Sequence, residues 1–273
     1  MQPIYITDLD HTFLRTDQSV SDFSAKVWND KRKDTILSIA TARSYQKSQD
    51  FLGKLHLDAP MILLDGTMIV TPDKKLIDIK TLNKALGDAI IAEGKTFDIY
   101  PFVITLNDVK TLDESFLFPT SLNAHQHGVL ENYRNDPRME KCTNIRAKEM
   151  NLKLVYFGNF KTLDPLTQHL SKTFGKELEY KLSPEKYSNG WFLTVLHPEG
   201  DKAHALSKVM EYLKRDTTDV TVFGDSVNDI GMFKLAGTAV AVSNALDEVK
   251  AVADVVLEHS NDEDGVARYL ERV

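Results

Sequence analysis

The sequence predicts an α/β fold: a doubly wound, Rossmann-like parallel-sheet core with a second α/β unit inserted into it. Three observations carry this expectation. The first 70 residues alternate short apolar runs with polar, helix-compatible stretches, the rhythm of βαβ units. The same rhythm returns beyond residue 200. Between them the texture changes, so residues 1–75 and 191–273 are expected to form one discontinuous core and 76–190 an inserted α/β domain.

Each element has its own signal. Ile4 to Thr7 is a β-prone run ending at Asp8, Thr35 to Ala40 a second and Met61 to Leu64 a third. Between the first two, Ser19 to Arg32 places Val20, Phe23, Val27 and the Ala25/Trp28 pair on one helix face, with Ser21 or Asp22 as the cap. Asp65-Gly66 between two apolar triplets marks a tight hairpin. In the middle, a helix is expected over Leu82 to Glu93, strands over Phe97 to Leu106 and Lys153 to Phe157, a helix over Leu163 to Phe174 and a strand near Leu178 to Leu182. Residues 107–150 carry few periodic signals. Towards the end, Asp201 to Arg215 is helical in pattern, Val220 to Phe223 a strand, Val227 to Ala236 a helix and Thr238 to Val242 a strand. Helices over Leu246 to Ala253 and Glu263 to Arg272 complete the pattern.

Composition limits the partners. With 33 Lys plus Arg against 40 Asp plus Glu, the 273-residue chain has a formal charge of −7, which disfavours nucleic acid and anionic membrane as partners. Hydrophobic residues make up 42% and charged ones 27%, which excludes global disorder. The single cysteine, Cys142, can form no internal disulfide and no thiolate cluster, in keeping with a reducing compartment. The opening residues reach Asp8 before an apolar stretch of signal length accumulates, and no run approaches the ~20 apolar residues of a membrane span. A cytoplasmic protein is expected.

Four short segments carry chemistry. Asp8-Leu9-Asp10-His11-Thr12 follows the first strand and sets two carboxylates at the carboxyl edge of the sheet, where open α/β sheets bind ligands. A divalent cation would relieve their repulsion, although two solvated acids in a loop would look the same. Gly224-Asp225-Ser226-Val227-Asn228-Asp229 also joins a strand to a helix and supplies hard oxygen ligands suited to Mg²⁺, or simply an N-cap. Thr41-Ala42-Arg43 offers a hydroxyl and backbone amides for a phosphate oxygen, or a plain cap. Lys202, at the positive end of a helix, calls for an anion nearby or is solvated surface.

Taken in order, these segments resemble the four motifs of the haloacid dehalogenase superfamily. The insertion lies where its type IIB members carry an α/β cap. Asp65-Gly66, where the Cof-type subfamily commonly has Asn-Gly, and the tail Ala239-Val240-Ala241-Val242-Ser243-Asn244-Ala245 resemble that subfamily, as does Asn261-Asp262-Glu263-Asp264-Gly265. The resemblance implies a Mg²⁺-dependent phosphatase acting on a small phosphorylated metabolite, a sugar phosphate being foremost. A phosphomutase, or a non-catalytic ligand-binding member of the fold, are the alternatives. By the same resemblance Asp8 is the nucleophile and Asp10 the general acid and base. Asp8, Asp10, Asp225 and Asp229 form the metal site, and Thr41, Ala42, Lys202 and Asn228 bind phosphate. The cap closes over the site and contacts the leaving group.

The chain departs from the family where His11, Ala42 and Ala203 stand in place of a common glycine. Ala42 and Ala203, as turn residues beside a phosphate, would alter how closely the backbone approaches it. The cap itself is less informative. Arg134, Arg138, Lys141, Arg146 and Lys148 against Asp136 and Glu140 make a local +3, read as solvated surface, and His125 and His127 read as exposed loop histidines.

Overall fold

The computed structural model describes residues 2–185 and 190–273. Strand β1 (Ile4–Thr7) is buried along its whole length, as a central strand of a parallel sheet must be. A tight turn through Leu9–Phe13 leads towards α1 (Asp22–Lys31). Of the two candidate caps, Ser21 is the one used: its hydroxyl accepts from the Ser24 amide at 2.9 Å. Then follow β2 (Ile36–Ile39), α2 (Tyr45–Leu52), β3 (Met61–Leu63), β4 (Met68–Val70) and β5 (Leu76–Ile79). The last three form a small antiparallel sheet, whose first hairpin turns through Asp65 and Gly66.

The middle of the chain runs through α3 (Lys84–Thr96), β6 (Phe102–Asp108), β7 (Asp113–Pro119), α4 (Ala124–Glu131), β8 (Met139–Cys142), β9 (Asn151–Gly158), α5 (Phe160–Phe174), β10 (Glu179–Glu185) and β11 (Gly190–Leu196). Its six strands lie in the order β10-β11-β9-β6-β7-β8, all antiparallel except the β7–β8 pair. Val103, Leu117, Leu154, Tyr156, Leu193 and Val195 pack against Ile90 and Ile91 of α3 and against Leu163, Leu166 and Leu170 of α5. Full burial of each of these leucines contributes about 2 kcal/mol.

The chain then continues through α6 (Lys202–Tyr212), β12 (Val220–Gly224), α7 (Ile230–Leu235), β13 (Thr238–Ala241), α8 (Asp247–Lys250), β14 (Val255–Val256) and α9 (Gly265–Arg272). The core sheet has the order β14-β13-β12-β1-β2 with every pair parallel. Strand order reverses at β1, whose neighbours come from the two ends of the chain. Such a switch point leaves a crevice at the carboxyl ends of the strands. Thr7 stands level with Phe223 on one side and Ile39 on the other, so the residues that follow, Asp8, Gly224-Asp225 and Ala40-Thr41, emerge along one edge.

The described residues fall into two compact units, one running to Ile79 and resuming over Asp201–Val273, the other Lys80–Gly200. The crossings thus lie four and ten residues later than the texture of the sequence places them. β5 belongs to the first unit because it pairs with β4, and β11 to the second because it is flanked by β9 and β10. Leu82, expected to open a helix, instead exchanges backbone hydrogen bonds with Asn151, and Asn83 caps α3. Residues 107–150 hold two strands and a helix where few signals were visible. Among the described residues no helix is long and apolar enough to cross a membrane.

Candidate active site

Three carboxylates and one ammonium meet at the carboxyl edge of the core sheet. Lys202 is the first residue of α6, whose N-cap Asp201 accepts from the His204 amide at 2.9 Å. The start of that helix is pinned from the β3–β4 hairpin. Gly66 has φ +118°, and a Cβ there would stand 2.1 Å from the Asp201 carbonyl oxygen, so only glycine admits this approach. From there the Lys202 side chain, wholly buried, donates to Asp8 Oδ1 at 2.6 Å and to Asp229 Oδ1 at 2.7 Å.

Asp229 is fixed from its other side. Its Oδ2 accepts from the amides of Asp225 and Ser226, both at 3.0 Å, closing the turn after β12. Gly224 makes this possible, since a Cβ there would lie 2.5 Å from Asp229 Cγ. Asp225 accepts at Oδ1 from the Thr12 hydroxyl, 2.8 Å away, which ties the turn after β12 to the turn after β1. Carboxylate oxygens of Asp8, Asp225 and Asp229 all lie within 4.8 Å of one another.

The electrostatics follow from that crowding. Burial pushes the Asp8 carboxyl well above its ordinary value; Lys202 pulls it back, while Asp229 and Asp225 push it further up. Burial alone would loosen the proton on Lys202, but Asp229 and Asp8 outweigh it and raise the ammonium above an ordinary lysine. Three carboxylates against one ammonium leave an excess of negative charge in a buried space. That donor set, all hard oxygen with no sulfur or imidazole, fits a divalent metal ion.

Around this centre lie the other groups. Asp10 is gripped in bidentate fashion by Arg43, Nε to Oδ2 at 2.7 Å and Nη2 to Oδ1 at 2.6 Å. Thr41 is buried at the end of the neighbouring strand, its hydroxyl accepting from the Arg43 amide at 3.1 Å. Ala42 sits between them, partly exposed. Asn228 donates from Nδ2 to Asp65 Oδ1 at 2.9 Å. The turn after β1 is braced by Asn244, which donates to the His11 carbonyl at 2.8 Å, and by Asn261, which donates to that of Leu14 at 2.9 Å.

Hydrogen bonds therefore join Asp8, Lys202, Asp225 and Asp229 directly, whereas Asp10 and Asn228 are held from outside that group. Arg43 holds Asp10, Thr12 holds Asp225 and Asp65 holds Asn228. Each lay inside a segment already noted, but its partner stands 33, 213 and 163 positions away. Ala203 also proves to sit elsewhere than expected. It faces helix packing: a Cβ on Gly231 of α7 would come within 2.9 Å of its own. His11 has φ +58°, a conformation that glycine adopts without strain and histidine tolerates better than most residues.

In the second unit the basic run is not uniformly solvated. Arg138 is buried, paired with Glu114 at 3.0 Å and Asp136 at 2.6 Å, with its guanidinium 4.5 Å from the centre of the Phe116 ring. Those partners offset the cost of desolvating it. His125 and His127 lie on α4 rather than in a loop, because Asn123 and Gln126 form a reciprocal cap that starts a helix there. A groove of about 370 Å³ beside α3, lined among others by Ile91, Lys95, Tyr100 and Arg146, contains none of the clustered carboxylates.

Comparison with known proteins places this geometry. A sequence profile of haloacid dehalogenase-like hydrolases matches residues 5–270. A Bacillus subtilis protein, the 5-amino-6-(5-phospho-D-ribitylamino)uracil phosphatase YwtE, is 25% identical across 97% of this chain and 96% of its own. The HMP-PP phosphatase of Cronobacter sakazakii is 24% identical across 89% of this chain and 85% of its own. Among solved structures, a haloacid dehalogenase-like hydrolase from Bacteroides thetaiotaomicron shares the fold at TM-score 0.79, with 21% identity over 100% of this chain and 99% of the other.

Proposed function

The chain belongs to the haloacid dehalogenase-like hydrolases and is a phosphohydrolase, and within that family we propose a Mg²⁺-dependent phosphatase of a small phosphorylated metabolite, a sugar phosphate, working through an aspartyl-phosphate. The observation that supports this most is the buried Lys202 bridging Asp8 and Asp229 while Asp225 stands within 4.8 Å. Relatives named for a phosphoribityl compound and for HMP-PP support a small phosphorylated substrate. In the same reading Lys80–Gly200 is a cap of the type IIB kind.

Asp8, Asp225 and Asp229, with the main-chain carbonyl of Asp10, would hold Mg²⁺, which when bound offsets charge on the phosphoryl group. An Asp8 oxygen attacks phosphorus, and the bond from phosphorus to the leaving oxygen breaks. Asp10 delivers its proton to that leaving oxygen and then takes a proton from the water that attacks the aspartyl-phosphate, releasing phosphate and restoring Asp8. Both Asp10 oxygens are engaged by Arg43, so each transfer requires one of those hydrogen bonds to be exchanged. Lys202, Thr41 and Asn228 neutralise and orient the phosphoryl oxygens, where transition-state charge is spread.

The test is phosphate release from an aryl phosphate and a panel of phosphorylated metabolites, with Mg²⁺ and with chelator. Asp8→Asn should lower turnover by at least about 10³-fold, the scale of losing a nucleophile. Retained turnover in that variant, or isomer formed without free phosphate, would overturn the reading.

A further inference from the structure

One short segment touches three of the four phosphate-site motifs. The tip of the β3–β4 hairpin, Leu64–Gly66, has φ of +51°, +65° and +118° at successive residues. Its Asp65 amide donates to the Thr41 carbonyl at 3.0 Å, and its Leu64 amide to the Arg43 carbonyl at 3.0 Å. Gly66 lies against the Asp201 carbonyl and the Lys202 amide. The Asp65 side chain, buried, accepts from Asn228.

We infer that this tip registers Thr41, Lys202 and Asn228 against one another, and that Asp65 is a positioning residue which sets the orientation of the Asn228 side-chain amide. A left-handed turn alone would account for an acid or amide at position 65, since these residues tolerate positive φ. It would not account for a carboxylate that is buried and spent on a side chain 163 positions away. An ionised carboxylate has no hydrogen to give. It can only accept, so the nitrogen end of the Asn228 amide must face Asp65 and its Oδ1 must point away. One N–H is consumed there, and the second remains for a phosphoryl oxygen. An amide at position 65 would keep one acceptor oxygen for the same Asn228 N–H, whereas glycine keeps none.

This inference rests on the phosphatase reading above, and the experiment separates the two. Asp65→Gly removes the carboxylate while keeping a residue at ease with φ +65°. Steady-state hydrolysis of an aryl phosphate with Mg²⁺ and competitive inhibition by inorganic phosphate are measured for the parent, Asp65→Gly, Asn228→Ala and the double variant. Asp65→Gly and Asn228→Ala should each weaken KM and inorganic-phosphate inhibition about five- to tenfold, with kcat falling less. The double variant should be no weaker than Asn228→Ala alone, because Asp65 acts through Asn228. Asp65→Asn, which still offers an acceptor oxygen, should recover most of the loss. Effects that multiply in the double variant would overturn the inference, as would unchanged phosphate affinity in Asp65→Gly, or Asp65→Asn as impaired as Asp65→Gly. A parent protein that neither releases nor binds phosphate would instead sink the phosphatase reading.

Discussion

Lys202 in the core and Arg138 in the inserted unit are both buried cations, and each is paired with two carboxylates. Lys202 is a compact charge reaching Asp8 and Asp229, which come from two different strand ends, and Asp225 adds a third carboxylate beside them. Arg138 uses a planar fork, and one partner, Asp136, is two residues away on its own segment. It also lies over the Phe116 ring, so packing as well as charge holds it. Among the described residues only Asp8, Asp225 and Asp229 form a group of three side chains that could hold a metal ion together. A buried cation alone therefore does not mark a functional centre. What marks it is three carboxylates gathered round one ammonium where separate segments of the core meet.

Removing each cation tests that distinction. Lys202→Met leaves three buried carboxylates together, and breaking such a pair costs about 3–5 kcal/mol. In chelator its Tm should fall on the order of 10 °C. Excess Mg²⁺ should restore part of this, since an ion held only by the folded state stabilises it by about 2.7 kcal/mol at 100 times its Kd. An unchanged Tm in chelator would show that Lys202 does not balance the cluster. Arg138→Met should destabilise by about 2–4 kcal/mol, somewhat less because part of the guanidinium reaches solvent. Mg²⁺ should return none of that specific loss. If Mg²⁺ rescued both variants equally, the contrast between the two cations would collapse.

The same contrast explains what could be read from sequence. Asp8, Asp10, Thr41 and Asp225 stand out because the residue type is dictated by chemistry and its place by the end of a strand, and Lys202 because it opens a helix. The strands beneath them are continuous apolar runs, since both faces are buried. In the inserted unit α4 buries only Gln126 and β8 is half-buried only at its ends, with Glu140 and Lys141 exposed, so neither shows an apolar stripe. Arg43, Thr12 and Asp65 lie within segments the sequence marks, yet their partners are brought near only by the fold. Residue type alone gave no sign of the pairing. The Arg138 pair was hidden for a like reason, because Glu114 is 24 positions upstream.

Thr12→Val probes how the clustered acids are held rather than how they are balanced. It removes the one hydroxyl that donates to Asp225 Oδ1 at 2.8 Å and keeps the shape of the side chain. A hydrogen bond to a charged group contributes about 1.5–3 kcal/mol, of which a bound cation would recover part by engaging the same oxygen. The variant should therefore lose about 1–2 kcal/mol in chelator and less with Mg²⁺, read from denaturant unfolding. An equal loss under both conditions would place Thr12 in packing alone.

The smallest effect is one of slope. Burial raises the Asp8 carboxyl above its unfolded value, and Asp229 and Asp225 add to this against the pull of Lys202. A folded-state value above the unfolded one means that the contribution of Asp8 to stability is fully present below the unfolded value and is lost as pH rises through the folded one. In chelator, then, stability of the parent relative to Asp8→Asn should decline as pH is raised above the ordinary carboxylate range, because asparagine carries no charge to desolvate. Excess Mg²⁺ should reverse the trend for the parent by favouring the ionised carboxylate, and should do little for the variant. Unfolding of both proteins across pH 5 to 8, about the range where most folds are stable, gives the difference directly. A difference that stayed flat in chelator would mean that Lys202 compensates Asp8 as fully as Asp136 and Glu114 compensate Arg138, and the surplus charge that separates the two regions would have to be sought in Asp225 and Asp229 alone.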